Sequence, residues 1–226
     1  MPKIQANPPK GEDLAKLRVY LIDDHPLLVQ GITQLINAES DMCVVGATGE
    51  WTVALKQIKD LNPGIIVLDI TLANANGVEV LKNLKVHYPE LKVLMLSMHD
   101  EDLYAMRSVR AGAFGYVMKA AATEQVVTAI RQIIKGEIYL SEGLARRTMS
   151  KLVGRKEANS SLLDDLSDRE LEVYQLVGDG MTTRQIANRL HLSVKTIESH
   201  KAHLKEKLHL QTATELAQHA IQQRGT

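Results

Sequence analysis

Between Arg18 and about Gly136, short apolar runs alternate with longer stretches in which apolar residues recur every three or four positions. The runs are Arg18–Ile22 (RVYLI), Met42–Ala47 (MCVVGA), Ile65–Leu68 (IIVL), Lys92–Leu96 (KVLML) and Phe114–Met118 (FGYVM). They are short and rich in β-branched side chains, as strands covered on both faces of a parallel sheet are. The segments between them, near 26–38, 50–61, 77–88, 101–111 and 123–136, have helical periodicity, and Pro63-Gly64, Gly77 and Gly112 punctuate the boundaries. Five strand-then-helix repeats predict an α/β fold, a doubly wound five-stranded parallel sheet with helices on both faces.

Outside this region the pattern changes. Residues 1–17 are polar and broken by Pro2, Pro8 and Pro9, which predicts a flexible tail before a sheet domain spanning 18–138. Residues 139–163 are basic and then rich in Ser and Asn, and read as a linker carrying a short helix. From 164 to 226 the periodicity is helical throughout and predicts an all-α four-helix domain. Ser167 with Glu170 forms a capping box, Gly180 closes the first helix, and 182–190 forms the second. Ser193 caps a third helix running to about Leu208, and Thr212 caps a fourth. The short His191-Leu192-Ser193 connection between the second and third helices is the pattern of a helix-turn-helix.

Composition narrows the class. Hydrophobic residues make up 45% and charged residues 24% of the 226, which fits a soluble globular chain. The single cysteine, Cys43, leaves no disulfide framework and no multi-cysteine metal site, and its apolar strand suggests inert packing. No uncharged apolar run approaches the ~18 residues of a membrane span, and the opening segment lacks the apolar core of a secretory signal. A cytoplasmic protein with no membrane partner is expected. The net charge of zero hides an uneven distribution: Arg184 to Lys207 holds six basic residues and two acidic ones, interleaved with His191, His200 and His203. That is a candidate nucleic-acid patch on a helix-turn-helix.

Chemistry-bearing residues gather where strands end. Asp23 and Asp24 follow the first run, Asp69 the third, Ser97 the fourth and Lys119 the fifth. In an open parallel sheet of order 2-1-3-4-5, the carboxyl ends of strands one and three meet at the crevice where ligands bind. Three carboxylates there call for a hard divalent cation, Mg2+, bound through oxygen. With a hydroxyl and an ammonium on the same edge, the set suits phosphoryl transfer to Asp69. One acidic residue after a strand is ordinarily a helix cap or a solvated loop; three carboxylates, a hydroxyl and an ammonium at four strand ends are not explained that way. His25 and His99 read as ordinary loop residues, since no His/Cys spacing supports a zinc site.

LIDDHPLLVQGI, IIVLDI, LSMH and GYVMK, across about residues 18–138, resemble the receiver domain of bacterial two-component response regulators, the CheY-like fold. The resemblance implies that Asp69 is the phospho-acceptor and that Asp23, Asp24, Asp69 and the Thr71 carbonyl hold Mg2+. Ser97 then takes the switch hydroxyl position, Tyr116 the switch aromatic and Lys119 the phosphate-binding lysine. His99 and Thr71 fall where family members vary and tune the phosphoryl lifetime. A tyrosine in such a strand is otherwise core packing, and its place three residues before Lys119 is what favours the switch. One departure stands out: Leu72-Ala73 replaces the usual Met-Pro pair, which predicts a freer loop beside Asp69.

The segment LSDRELEVYQLVGDGMTTRQIANRLHLSVKTIESHKAHLKEKL similarly resembles the LuxR-type (NarL/FixJ) DNA-binding domain over residues 166–208, and more weakly to about 222. A helical wheel of the third helix turns Ile197, Val194, Leu204 and Leu208 to the core and Lys195, Ser199, Ala202, His203 and Glu206 outward, with Glu198 at the flank. Glu198, Ser199 and Ala202 are candidate base readers, and Thr183, Arg184, Lys195 and Lys205 candidate phosphate contacts. Lys201 falls on the apolar side, where it snorkels and touches phosphate from the edge. The resemblance offers Leu216 and Ala220 on the last helix as dimer contacts; packing onto the other three helices is the open alternative.

These readings converge on a phosphorylation-controlled transcription regulator. Its implied partners are a sensor histidine kinase, double-stranded promoter DNA and a second copy of the chain. Two other classes stay open: a metal-dependent phosphohydrolase acting on external substrate, and a regulator whose receiver is an interaction module that is never phosphorylated.

Overall fold

The computed structural model describes residues 16–73, 75–98, 101–146 and 161–223, which fall into two compact units, within 1–150 and 151–226. Of the expected tail and linker, residues 1–15 and 147–160 lie outside the described residues, as do Asn74 and His99.

The first unit alternates strand and helix: β1 (Leu17–Ile22), α1 (Pro26–Ala38), β2 (Met42–Thr48), α2 (Trp51–Leu61), β3 (Ile65–Asp69), α3 (Gly77–His87), β4 (Lys92–Ser97), α4 (Glu101–Arg110), β5 (Gly115–Met118) and α5 (Ala122–Ile134). The strands pair in parallel in the order β2-β1-β3-β4-β5, so β1 and β3 are neighbours at the reversal of winding. Because side chains alternate across a strand, Val19, Leu21, Ile65, Val67, Leu94, Leu96 and Val117 share one face and pack with α1 and α5. Tyr20, Ile22, Ile66, Leu68, Val93, Met95 and Tyr116 are equally buried and belong to the other face, under α2, α3 and α4. Covering both faces is why the strands read as continuous apolar runs.

Two segments differ from the sequence reading. Residues 139–146, expected as linker, are part of this unit. Tyr139 bridges in parallel to Gly115, accepting a hydrogen bond from the Tyr116 N–H (3.0 Å) and donating one to the Phe114 carbonyl (2.9 Å). Two residues on, the Ser141 hydroxyl donates to Glu101 of α4 at 2.6 Å, and Leu144 is buried. The chain thereby covers the open edge of β5, whose backbone groups need partners. The loop beside Asp69, expected to be freer, is instead tied by an antiparallel pairing of Thr71–Leu72 with Ala75–Asn76, with Leu72 buried.

In the second unit, a single turn (Ser161–Asp164) precedes α6 (Asp168–Gly178), α7 (Thr183–Arg189), α8 (Val194–Lys207) and α9 (Ala213–Gln222). Ser167 and Glu170 make the expected capping box, and Thr182 with Gln185 makes a second one that opens α7. His191 takes a left-handed φ of 52° in the turn between α7 and α8. The core joins Leu171, Tyr174, Ile186, Leu190, Ile197, Leu204, Leu208, Leu216 and Ala220. Val194, assigned to the core by the wheel, is 42% exposed and is the first residue of α8. Leu216 and Ala220 are interior: α9 lays that stripe on α6, where Tyr174 also meets His219 at 2.8 Å. They are therefore not dimer contacts, and the large apolar residue α9 exposes is Ile221. Among the described residues no helix is long and apolar enough to cross a membrane.

Candidate functional site

The carboxyl ends of β1 and β3 place Asp23, Asp24 and Asp69 together, and the turn after β5 delivers Lys119. The Lys119 ammonium lies 2.7 Å from Asp23 Oδ2 and 2.7 Å from Asp69 Oδ2. The Thr71 backbone N–H donates to Asp69 Oδ1 at 3.1 Å. Asp23, Asp69 and Lys119 are all buried, and Asp24 is partly open. Ser97 ends β4, the strand beside β3, and is fully buried, as is Tyr116 on β5.

Burial and the neighbouring Asp23 carboxylate push the Asp69 carboxyl up to about 7, against the pull of Lys119. The pocket therefore holds more negative charge than one ammonium balances. Ligand atoms of Asp23, Asp24, His25 and Asp69 lie within 4.8 Å of one another. Asp24 Oδ1 and Asp23 Oδ2 are buried, and among the described residues each faces a single polar neighbour, His25 Nδ1 at 3.0 Å and the Lys119 ammonium at 2.7 Å. Hard carboxylate oxygens short of donors are what a divalent cation of the Mg2+ type requires, and the residues fit it.

Two contributors escaped the sequence reading. His25, taken as a loop residue, turns its ring over the pocket, with Nδ1 2.9 Å from Asp23 Oδ1 and 3.0 Å from Asp24 Oδ1. Its signal was adjacency to the aspartates, which a search for His/Cys spacing ignores. Gly77 opens α3 directly under Asp69: a Cβ there would lie 2.1 Å from the Asp69 carbonyl oxygen. Asn76, which caps α3 by accepting from the Val78 N–H, sets that approach.

In the helical unit, Arg184, Lys195, Glu198, Ser199 and Ala202 are exposed, while Thr183, Lys201 and Lys205 are half-buried. Lys201 reaches from α8 to donate to the Thr183 hydroxyl of α7 at 3.3 Å, so the two candidate phosphate contacts form one pair on the edge of the helix-turn-helix. The α8 helix is anchored by Lys207, which donates to Glu170 Oε2 at 2.8 Å while the same oxygen accepts from the Ser167 N–H. Burial raises the Glu170 carboxyl, but Lys207 and the Ser167 capping bonds outweigh it, and its pKa lies below the ordinary value. A lowered folded-state pKa means stability present above the unfolded pKa and lost as pH falls through the folded one. Calorimetry of the whole chain from pH 7 to pH 3 is expected to show the helical unit losing stability along that limb. In Glu170→Gln the limb is flatter, and identical limbs would show the carboxylate to be solvated.

Comparison with known proteins matches both units. The response regulator receiver domain family matches residues 19–131, and the luxR family of bacterial regulatory proteins matches 164–220. Oxygen regulatory protein NreC of Staphylococcus haemolyticus is 30% identical over 213 residues, covering 92% of this chain and 98% of NreC. Among solved structures, RcsB of Salmonella enterica serovar Typhimurium, bound to promoter P1flhDC in the presence of the phosphomimetic BeF3-, is 25% identical with a TM-score of 0.64, covering 91% of this chain and 98% of RcsB. A LuxR-family two-component response regulator from Aurantimonas is 28% identical with a TM-score of 0.57, covering 61% of this chain and 99% of the other.

Proposed function

The chain belongs to the two-component response regulators that join a receiver domain to a LuxR-type DNA-binding domain, and from that premise we propose that Asp69 accepts the phosphoryl group that controls its binding to promoter DNA. As a member of that family it is a DNA-binding transcription regulator and not an enzyme. The observation that carries the assignment of Asp69 is the Lys119 ammonium shared at 2.7 Å between Asp23 and Asp69, at the crevice of the parallel sheet.

In this reading an Asp69 carboxylate oxygen attacks the phosphorus of a phosphohistidine on a sensor histidine kinase. The P–N bond breaks and its electron pair leaves with the kinase imidazole. Asp23, Asp24, Asp69 and the Thr71 carbonyl hold Mg2+, which supplies neutralisation of the phosphoryl charge. Lys119 exchanges its hold on Asp69 for the phosphoryl oxygens, and Ser97 donates to them. Tyr116 follows Ser97, and because its N–H is bonded to the Tyr139 carbonyl, a shift of β5 reaches residues 139–146 directly. The altered surface favours a homodimer or releases the DNA-binding unit from the receiver, and two α8 helices then meet half-sites about one helical turn apart. The protein acts in the cytoplasm, without a membrane partner.

Adding beryllofluoride with Mg2+ tests the switch: tighter promoter binding or a larger oligomer is expected. No change in either would favour a receiver that serves only as an interaction module. For the DNA face, Glu198, Ser199 and Ala202 read bases, and Thr183, Arg184, Lys195, Lys201 and Lys205 contact phosphate. Small side chains at 199 and 202 leave few base hydrogen bonds, so phosphate contacts and DNA shape carry much of the affinity. Lys195→Ala is expected to weaken specific and non-specific DNA alike and to reduce the slope of log K against log salt by about 1. Fluorescence anisotropy at four salt concentrations reads this, and an unchanged slope removes Lys195 from the backbone contacts.

A further inference from the structure

The His25 side chain is the part of the pocket that phosphoryl transfer to Asp69 leaves without a role. His25 is the residue before α1, followed by Pro26, and its backbone N–H donates to Asp23 Oδ1 at 2.8 Å. Its ring folds back over the same oxygen. Nδ1 lies 2.9 Å from Asp23 Oδ1, 3.0 Å from Asp24 Oδ1, 3.2 Å from Lys119 Nζ and 3.7 Å from Asp69 Oδ2. Nδ1 faces two carboxylate oxygens at 2.9 and 3.0 Å and one ammonium at 3.2 Å, and since Lys119 directs hydrogens to Asp23 and Asp69, we assign the ring hydrogen to Nδ1. That tautomer follows from the hydrogen-bond network. The ring is held from below only, since its side chain is 50% exposed.

We infer that His25 is a positioning residue that sets the affinity of the acceptor pocket for its divalent cation: the imidazole N–H holds the Asp23 and Asp24 oxygens that the ion needs, and the ring turns outward before the ion binds. The inference rests on the reading of this pocket as the Mg2+-dependent receiver site. A cation and an N–H donor compete for the same carboxylate lone pairs, so the hydrogen bonds made to His25 are lost on loading. The exposed outer edge of the ring leaves it room to rotate out. This differs from a ligand role, in which the ring would strengthen binding and need Nδ1 without its hydrogen.

The test is calorimetric titration of the full chain with MgCl2. His25→Ala removes the competitor and is expected to bind Mg2+ about three- to tenfold more tightly than wild type, the change that one net hydrogen bond to a carboxylate implies. His25→Asn places an amide nitrogen where Nδ1 stands and should restore wild-type affinity to within about twofold. In wild type, NMR of the His25 imidazole should show the ring signals moving with the same midpoint as the heat. Equal or weaker binding by His25→Ala, or ring signals that stay still while Mg2+ saturates, overturns the inference even where the variant folds poorly. Absence of Mg2+ binding in every form overturns the receiver-site reading as well, which separates the two failures.

Discussion

Asp69→Asn is expected to take up no detectable phosphoryl group from a small-molecule donor with Mg2+, and to lose the DNA-binding response to that donor, while folding as well as wild type. An amide at Asp69 keeps the shape that accepts from the Thr71 N–H but has no nucleophilic oxygen anion. The stability half of the expectation comes from electrostatics. Asp69 has a folded-state pKa raised to about 7 by burial and by Asp23. Its contribution to stability is thus fully present below the unfolded value and lost as pH rises through 7. At pH 8 without metal, a neutral amide relieves that cost, and urea denaturation should show Asp69→Asn no less stable than wild type. Intact-mass measurement before and after donor treatment reads the first half. Labelling of Asp69→Asn at the wild-type level would move the acceptor elsewhere.

Lys119→Met should have the largest effect on the receiver fold itself. Lys119 is buried and serves two buried carboxylates at 2.7 Å each. Removing one partner of a buried ion pair leaves an uncompensated charge and costs about 3–5 kcal/mol. Methionine keeps the length and fills the space, so the loss reports charge and not a cavity. Saturating Mg2+ should return a large part of it, because the ion offsets the same oxygens. Urea denaturation at pH 8, with and without Mg2+, checks both. A loss of under about 0.5 kcal/mol, typical of a solvated surface pair, would mean that water balances the carboxylates.

Much of this architecture is readable from the chain because the sheet is covered on both faces, so each strand is an uninterrupted apolar run and its end is marked by the first polar residue. Asp23, Asp69, Ser97 and Lys119 are those markers, and of them Asp23, Asp69 and Lys119 meet in one buried cluster. What could not be read depends on one-residue events or on a neighbouring element. His25 acts through contacts to the Asp23 carboxylate and Gly77 through close approach to the Asp69 backbone, and neither leaves a periodic trace. A helical wheel treats every position alike and turns Val194 inward, whereas the first residue of α8 is exposed. Whether the Leu216 and Ala220 stripe faces a second chain or its own unit depends on α6, and Tyr174 beside His219 marks the second outcome. The pairing after Asp69 joins two-residue segments, Thr71–Leu72 and Ala75–Asn76, too short for any alternation to register.

The single-residue bridge at Tyr139 has a practical consequence for studying the receiver in isolation. A fragment ended at residue 138, where strand-and-helix alternation stops, keeps every strand but strips β5 of its only cover among the described residues along that side. Bare main-chain groups at a sheet margin recruit another copy edge to edge. Such a fragment would dimerise with or without phosphate, and its sedimentation behaviour would be mistaken for signalling. Ending it after residue 146 retains Tyr139, Ser141 and Leu144, and with them a monomer whose association can be attributed to the switch.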